Sequence, residues 1–193
     1  MQRAPTELMA KGLNFRGFLR AVERLHSPAI AEQVVQALPI PEARDALRYH
    51  RIVASGWYPV AWHRALHVSA QAVTGSSREL ARRIGYEGMR DDLGGVYRLV
   101  ASLLAPETLV RIGNRLWSSY WNGGVVETVE HGPGHVRTSF AECHGFDRNS
   151  WEDIIGSCQA VLEAAHAGDA RLRVLEGGVD GAAHMVLDGR WVT

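Results

Sequence analysis

Between residues 106 and 142 the hydrophobic period of the chain changes from about 3.6 to 2, which forces an amphipathic helix to run into a β-hairpin. Pro106 suits a first helical turn, where its missing N–H costs nothing. Leu109, Ile112, Leu116 and Tyr120 then recur on one face, which Trp117 and Trp121 widen. Asn122-Gly123-Gly124 ends the helix, because these residues tolerate positive φ. Beyond it Val136, Thr138 and Phe140 alternate with polar neighbours, and Gly132-Pro133-Gly134 supplies the turn of a hairpin.

The residues before this stretch read as helices. Residues 1–12 are a loose lead-in, and Phe15, Phe18, Leu19, Val22 and Leu25 mark one face of a first helix ending near His26. Ser27-Pro28 caps and opens a second, carrying Ile30, Val34, Val35 and Leu38 up to Pro39 and Pro41. Residues 42–53 read as a third, with Ala43, Ala46, Leu47 and His50 inward. After Ser55-Gly56 the spacing predicts a helix from Trp57 to about Thr74, with Tyr58, Trp62, Ala65, Leu66, Ser69, Ala72 and Val73 on one face and Gly75 as its stop. Ser76 with Glu79 suggests a capping box for a short helix through Ile84. Residues 86–104 follow as a further helix with Gly94-Gly95 in its middle.

After the hairpin, Ser150 with Asp153 is expected to cap a helix striped by Trp151, Ile154, Ile155, Cys158, Val161, Leu162 and Ala165, closed by Gly168. Residues 170–176 alternate as a strand, and the last strand runs from about Ala182 to Trp191 with a bulge or turn at Asp188-Gly189. The expected fold class is α+β. A helical N-terminal half packs on a four-stranded antiparallel sheet, and the C-terminal half is a β-hairpin, a helix and a second hairpin. At 193 residues one domain is expected, with residues 1–54 as a helical extension and 55–193 as the core.

Charge and composition exclude several functions. Basic and acidic residues balance at 21 each, so no overall field favours nucleic acid or a membrane surface. Lys11 is the sole lysine and lies outside any glycine-rich phosphate loop. Two cysteines make no disulfide framework, no apolar run is long enough to span a bilayer, and no secretory leader stands at residue 1; the expected location is cytoplasmic.

Four sets of residues bear on chemistry. His63 and His67 have the i, i+4 spacing of metal or haem ligands on a helix, but the wheel centred on Tyr58 and Trp62 puts both on the solvent face. Cys143-His144, with Cys158 and His166, offers soft ligands without the spacing of a closed zinc site. His131 and His135 flank the Gly-Pro-Gly turn, and no G-x-S-x-G is present. The aromatic clusters point to a binding function: Tyr58, Trp62 and Leu66, with Trp117, Tyr120 and Trp121, could wall an apolar pocket for a small aromatic, an acyl chain or a flat cofactor.

The segments KGLNFRGFLRAVERLHSPAIAEQVVQALP and SGWYPVAWHRAL, with APETLVRIGNRLWSSYWNGGVVETVEHGPGHVRTSF, resemble the DUF2378 group of uncharacterised myxobacterial paralogues. The plan is also similar to the vinyl-reductase and TRAPP type of ligand-binding fold, to which haem-nitric-oxide domains are more distantly comparable. The resemblance implies a sensory or adaptor domain, often dimeric, with a cavity between helices and sheet. The zinc-binding cysteine cluster of the phenol-sensing regulators of that fold is absent, as is the Tyr-x-Ser-x-Arg haem signature of nitric-oxide sensors, so no metal or haem residue carries over and the cofactor stays unknown.

The function expected from the sequence is a non-catalytic small-molecule-binding sensory or signalling adaptor domain, with a small apolar or aromatic ligand and a signalling protein as partners. The alternatives are a small enzyme using Cys143 and His144 or the His131/His135 hairpin, and a ligand-free protein-interaction module. Trp57, off the Tyr58–Trp62 stripe, adds an apolar patch of the kind that marks partner surfaces, and two-fold dimers are the commonest closed assembly. A homodimer through helices of the first hundred residues is expected. Light scattering at micromolar concentration should therefore give twice the chain mass of 21.3 kDa, and a monomer mass would remove the expectation.

Overall fold

The computed structural model describes residues 8–94, 108, 113–167 and 169–192. It opens on a short strand, β1 (Met9–Lys11), and three helices, α1 (Gly12–Leu25), α2 (Pro28–Gln36) and α3 (Pro41–Arg48). Strand β2 (Trp57–Pro59) leads into α4 (Val60–Thr74), which is followed by α5 (Glu79–Asp92) and α6 (Gly113–Tyr120). The second half is β3 (Val125–Gly132), β4 (His135–Ala141), α7 (Arg148–Ala164), β5 (Arg171–Gly177) and β6 (Met185–Arg190). The last four strands form one antiparallel sheet in the order β3-β4-β6-β5, so the α+β architecture and the hairpin–helix–hairpin plan are as the periodicity requires. No described helix is long and apolar enough to cross a membrane.

Local chemistry accounts for most boundaries. The Ser27 hydroxyl accepts from the Ile30 N–H and Pro28 fills the first turn of α2, while Gly75 ends α4 at φ +64. Along β4, Val136, Thr138 and Phe140 point inward, as the alternation demands. The outer face carries charge instead. There Asp188 accepts from His135 Nε2 (2.8 Å), Arg190 Nε (3.1 Å) and Arg137 Nη2 (3.3 Å). Burial alone would raise the Asp188 carboxyl, but the hydrogen bonds of His135 and Arg190 hold it below its usual range.

Several expectations are corrected. Residues 8–11 are not loose: Ala10 is fully buried, β1 pairs with β2, and Met9 exchanges hydrogen bonds with Asn122 (Met9 N–H to Asn122 Oδ1, 2.7 Å). Residues 57–59 are strand, so α4 begins at Val60 and its buried face is His63, Leu66, His67 and Ala70 rather than the Tyr58–Trp62 side. Trp57 is therefore not a helix residue; its ring lies under the Lys11 ammonium, 4.9 Å away. The third helix stops at Arg48, leaving His50 exposed at φ 53. One helix, α5, replaces the expected break near residue 85 and ends before Gly94. Asp147, three residues earlier than Ser150, caps α7 by accepting from the Ser150 N–H at 2.8 Å. Strand β6 runs straight through Asp188-Gly189, and the sheet's bulges lie at Thr128/Glu130 and Val174/Glu176. The readings at Pro106, Leu109, Ile112 and Gly168, and at 95–104, fall outside the described residues.

Helices α5 and α7 pack at van der Waals contact of their backbones. A Cβ on Gly85 would overlap the Asp153 carbonyl, and one on Gly156 would overlap the Arg82 carbonyl. Ser157 Oγ donates to the Gly85 carbonyl at 3.2 Å across the same seam. Alanine at either site gains roughly 1 kcal/mol of helix propensity but meets rigid backbone, which no rotamer change relieves. Gly85→Ala and Gly156→Ala should each destabilise by about 1–3 kcal/mol in urea unfolding, with the double variant costing less than the sum because the first substitution already parts the helices. Stabilisation by either would contradict the close seam.

Candidate ligand cavity

Helices α1, α4, α5, α6 and α7 and the inner face of the sheet enclose a cavity of about 150 Å³. Its wall is mostly apolar: Phe18 from α1, Ile84 and Met89 from α5, Trp117 from α6 and the following Trp121, Ile154 and Val161 from α7, and Phe140 and Leu187 from the sheet. The aromatic side is rigid because the rings brace one another. Trp117 stands 5.7 Å from Trp121 and from Phe140, and Phe146 stands 4.8 Å from Trp121 and 4.9 Å from Trp151. Trp117 Nε1 donates to the Gly123 carbonyl at 2.8 Å, which satisfies the indole and fixes its plane.

Two polar groups interrupt the wall. In the first, the Tyr120 hydroxyl donates to Asp92 Oδ2 (2.9 Å), Asn14 Nδ2 donates to the Tyr120 carbonyl (2.9 Å), and Arg20 approaches Asp92 at 3.5 Å. Burial pushes the Asp92 carboxyl up, against the opposing pull of Tyr120 and Arg20. The second is built from one turn of α4 and one residue of α7. His63 and His67 stack edge to face with ring centroids 5.0 Å apart, and His67 Nε2 lies 3.2 Å from Asp153 Oδ2 without the angle of a hydrogen bond. Phe15, Phe18 and Trp121 close around the His63 ring. His63 Nδ1 and both nitrogens of His67 are buried with no hydrogen-bond partner. Each such orphan costs about 1–3 kcal/mol, so the cluster holds three unmet polar atoms in the middle of a core. Burial lowers the His63 imidazole to about 4, helped by the neighbouring His67 and opposed by Asp153 and Asp147, so His63 is neutral at physiological pH.

The sequence placed six aromatic or apolar residues at a binding wall, and the structure divides them. Trp117, Tyr120 and Trp121 line the cavity. Tyr58, Trp62 and Leu66 are not among the lining residues. Tyr58 accepts from the Val53 N–H and packs on Phe15, Trp62 leans half-buried on Tyr58, and Leu66 is solid core. His63 and Asp153 line it, although the wheel turned His63 and His67 to solvent. Inclusion of Tyr58 in the helix drew the apparent apolar face towards Trp62, about 100° from His63. The spacing 63, 66, 67, 70 is itself an i, i+3, i+4, i+7 pattern and was the signal to follow.

The groups proposed for an enzyme do not converge. His135 begins β4 and Cys143 lies two residues past its other end at Ala141, and the strand itself is about 20 Å long at about 3.4 Å per residue. His131 is exposed, and His135 is held in the Asp188 cluster. Burial pushes the Cys143 and Cys158 thiols up to about 12, so neither supplies a thiolate at neutral pH.

No protein-family model matches the sequence, and neither does any curated protein. Solved structures do match, over nearly the whole chain. An oxygen-binding H-NOX domain related to soluble guanylate cyclases superposes with a TM-score of 0.71 at 8% identity, covering 95% of each chain. An Fe(II) unliganded H-NOX mutant from K. algicida gives 0.71 at 13% identity, over 95% of this chain and 97% of that one. An H-NOX mutant from T. Tengcongensis gives 0.70 at 8%, over 95% and 98%. The fold is H-NOX-like.

That likeness overturns the resemblance to DUF2378 and to the vinyl-reductase and TRAPP type. Short sequence words and a helices-then-hairpins order are shared by more than one way of laying helices on a four-stranded antiparallel sheet. The order of elements therefore indicated the layers without selecting the fold.

Burial separates two tryptophans that the sequence treated alike. Trp117→Ala removes a ring that is 9% exposed and should cost about 3–5 kcal/mol in chemical denaturation. Trp62→Ala removes a half-buried ring and should cost roughly 1–2 kcal/mol. Equal costs would contradict the assigned face of α4.

Proposed function

We propose that the chain is a sensory domain that holds one small apolar or aromatic molecule in the cavity and signals its occupancy to a protein partner. The observation that carries this reading is the cavity itself, an aromatic-walled void between helices and sheet with the Tyr120–Asp92 pair as its polar handle. Its volume matches the roughly 150 Å³ at which an engineered protein core takes up benzene. The H-NOX-like fold supports a sensory role, since one neighbour binds oxygen and is related to soluble guanylate cyclases.

Haem, which other neighbours carry, is a poor match to these walls. A tetrapyrrole is several times the size of one aromatic ring and brings two carboxylates. Among the described lining residues the charged groups are Asp92 and Asp153, with no arginine or lysine to receive those carboxylates. The described residues therefore do not fit haem, and no role is assigned to it. His135 and Cys143 also share no site, which favours binding over the enzyme alternative.

The test is thermal melting with indole and toluene as probes, beside native mass spectrometry of the purified protein. A saturable rise in melting temperature is expected for wild type. Gly17 lines the cavity and a Cβ there meets nothing within 4 Å, so Gly17→Leu fills the void without a backbone clash and should abolish the shift. No shift with either probe, or an equal shift in folded Gly17→Leu, would overturn the reading. A one-to-one Soret-absorbing complex with added haemin would overturn the ring-sized ligand in favour of haem.

A further inference from the structure

The geometry points to a divalent transition-metal site formed by His63 and His67 of α4 and Asp153 of α7, at the wall of the cavity. Each residue offers one ligand atom, and these atoms lie within 4.8 Å of one another. His67 Nε2 and Asp153 Oδ2 are already 3.2 Å apart, close to the ~3.3 Å that separates two ligands of a tetrahedral metal with bonds of about 2.0–2.1 Å. That contact lacks hydrogen-bond geometry, so its closeness is not explained by a hydrogen bond. The i, i+4 spacing places both imidazoles on one helix face, and the carboxylate comes from a neighbouring helix.

One further observation points to a ligand. His63 Nδ1 and both nitrogens of His67 are buried without a hydrogen-bond partner, although buried polar atoms are almost always satisfied. Two nitrogens and one carboxylate oxygen suit zinc or ferrous iron better than calcium or magnesium, which prefer all-oxygen sets. Three protein ligands leave a coordination position open. His63 and Asp153 both line the cavity, so that open position faces it. The site does not depend on the ring-sized ligand proposed above: metal binding is measured with the cavity empty, and probe binding with chelator present.

The experiment uses the whole chain after dialysis against EDTA, with Zn²⁺ and Co²⁺ as probes. One equivalent per chain is expected by calorimetry, with a rise in melting temperature on Zn²⁺ and visible d–d bands on Co²⁺. His63→Leu and Asp153→Asn should each weaken Zn²⁺ binding by more than about tenfold, the loss that even outer-shell changes around a metal produce. In case a variant fails to fold, imidazole ¹⁵N shifts are read in the wild-type protein, where Zn²⁺ should move the His63 and His67 resonances and leave exposed His184 in place. Absence of binding would overturn the site. So would binding that persists unchanged in the folded variants, or Zn²⁺ shifts confined to other histidines.

Discussion

Everything around the cavity depends on how closely α5 and α7 approach. The two helices meet backbone to backbone because Gly85 and Gly156 carry no side chain at the crossing. Close approach here sets the distance between the helical layer and the sheet, since α7 connects the two hairpins and α5 carries part of the opposite wall. The room saved at the seam reappears beside it, where Ile84, Met89, Ile154 and Val161 surround a void instead of filling it. Protein interiors seldom leave such space, because each missing contact forfeits dispersion energy. A rigid seam next to an open wall keeps the void from collapsing.

The same region accepts a second cost. Three unsatisfied imidazole nitrogens lie among Phe15, Phe18 and Trp121, where apolar residues of similar volume would be more stable. The electrostatics and the packing agree on one point. His63 is held neutral, and the nitrogens of His67 are left without hydrogen bonds, by surroundings that the N-terminal half helps to build, with α1 on one side and Trp121, from beyond α6, on the other.

The layers were legible from periodicity, since the alternation along β4 and the stripe on α7 each identify the buried face without reference to the rest of the chain. Caps dictated by short side chains, Ser27 and Gly75, were legible for the same reason. What could not be read was tertiary. Trp57–Pro59 looks helical by continuity with α4, yet pairs with a strand nearly fifty residues earlier, and that pairing rotates the apparent helix face by one residue. That single step draws Tyr58 and Trp62 towards the wall and turns His63 out of it. The Gly85–Gly156 seam gave no local sign either, because a mid-helix glycine reads as a weakness until its partner helix is in place.

The staple at the start of the chain has a consequence for the order of folding. Leu8 donates to the His144 carbonyl, Met9 and Asn122 exchange hydrogen bonds, and Ala10 bridges to Trp121. These partners are more than a hundred residues apart in sequence. A chain emerging from the ribosome at about 5–20 residues per second presents β1 many seconds before residues 121–144 exist. Pairing with β2 is available early, but the outer contacts of β1 must wait. Until residues 121–144 are made, the N-terminal helices stand on contacts among themselves, such as the Arg20 and Arg24 pairs with Asp91.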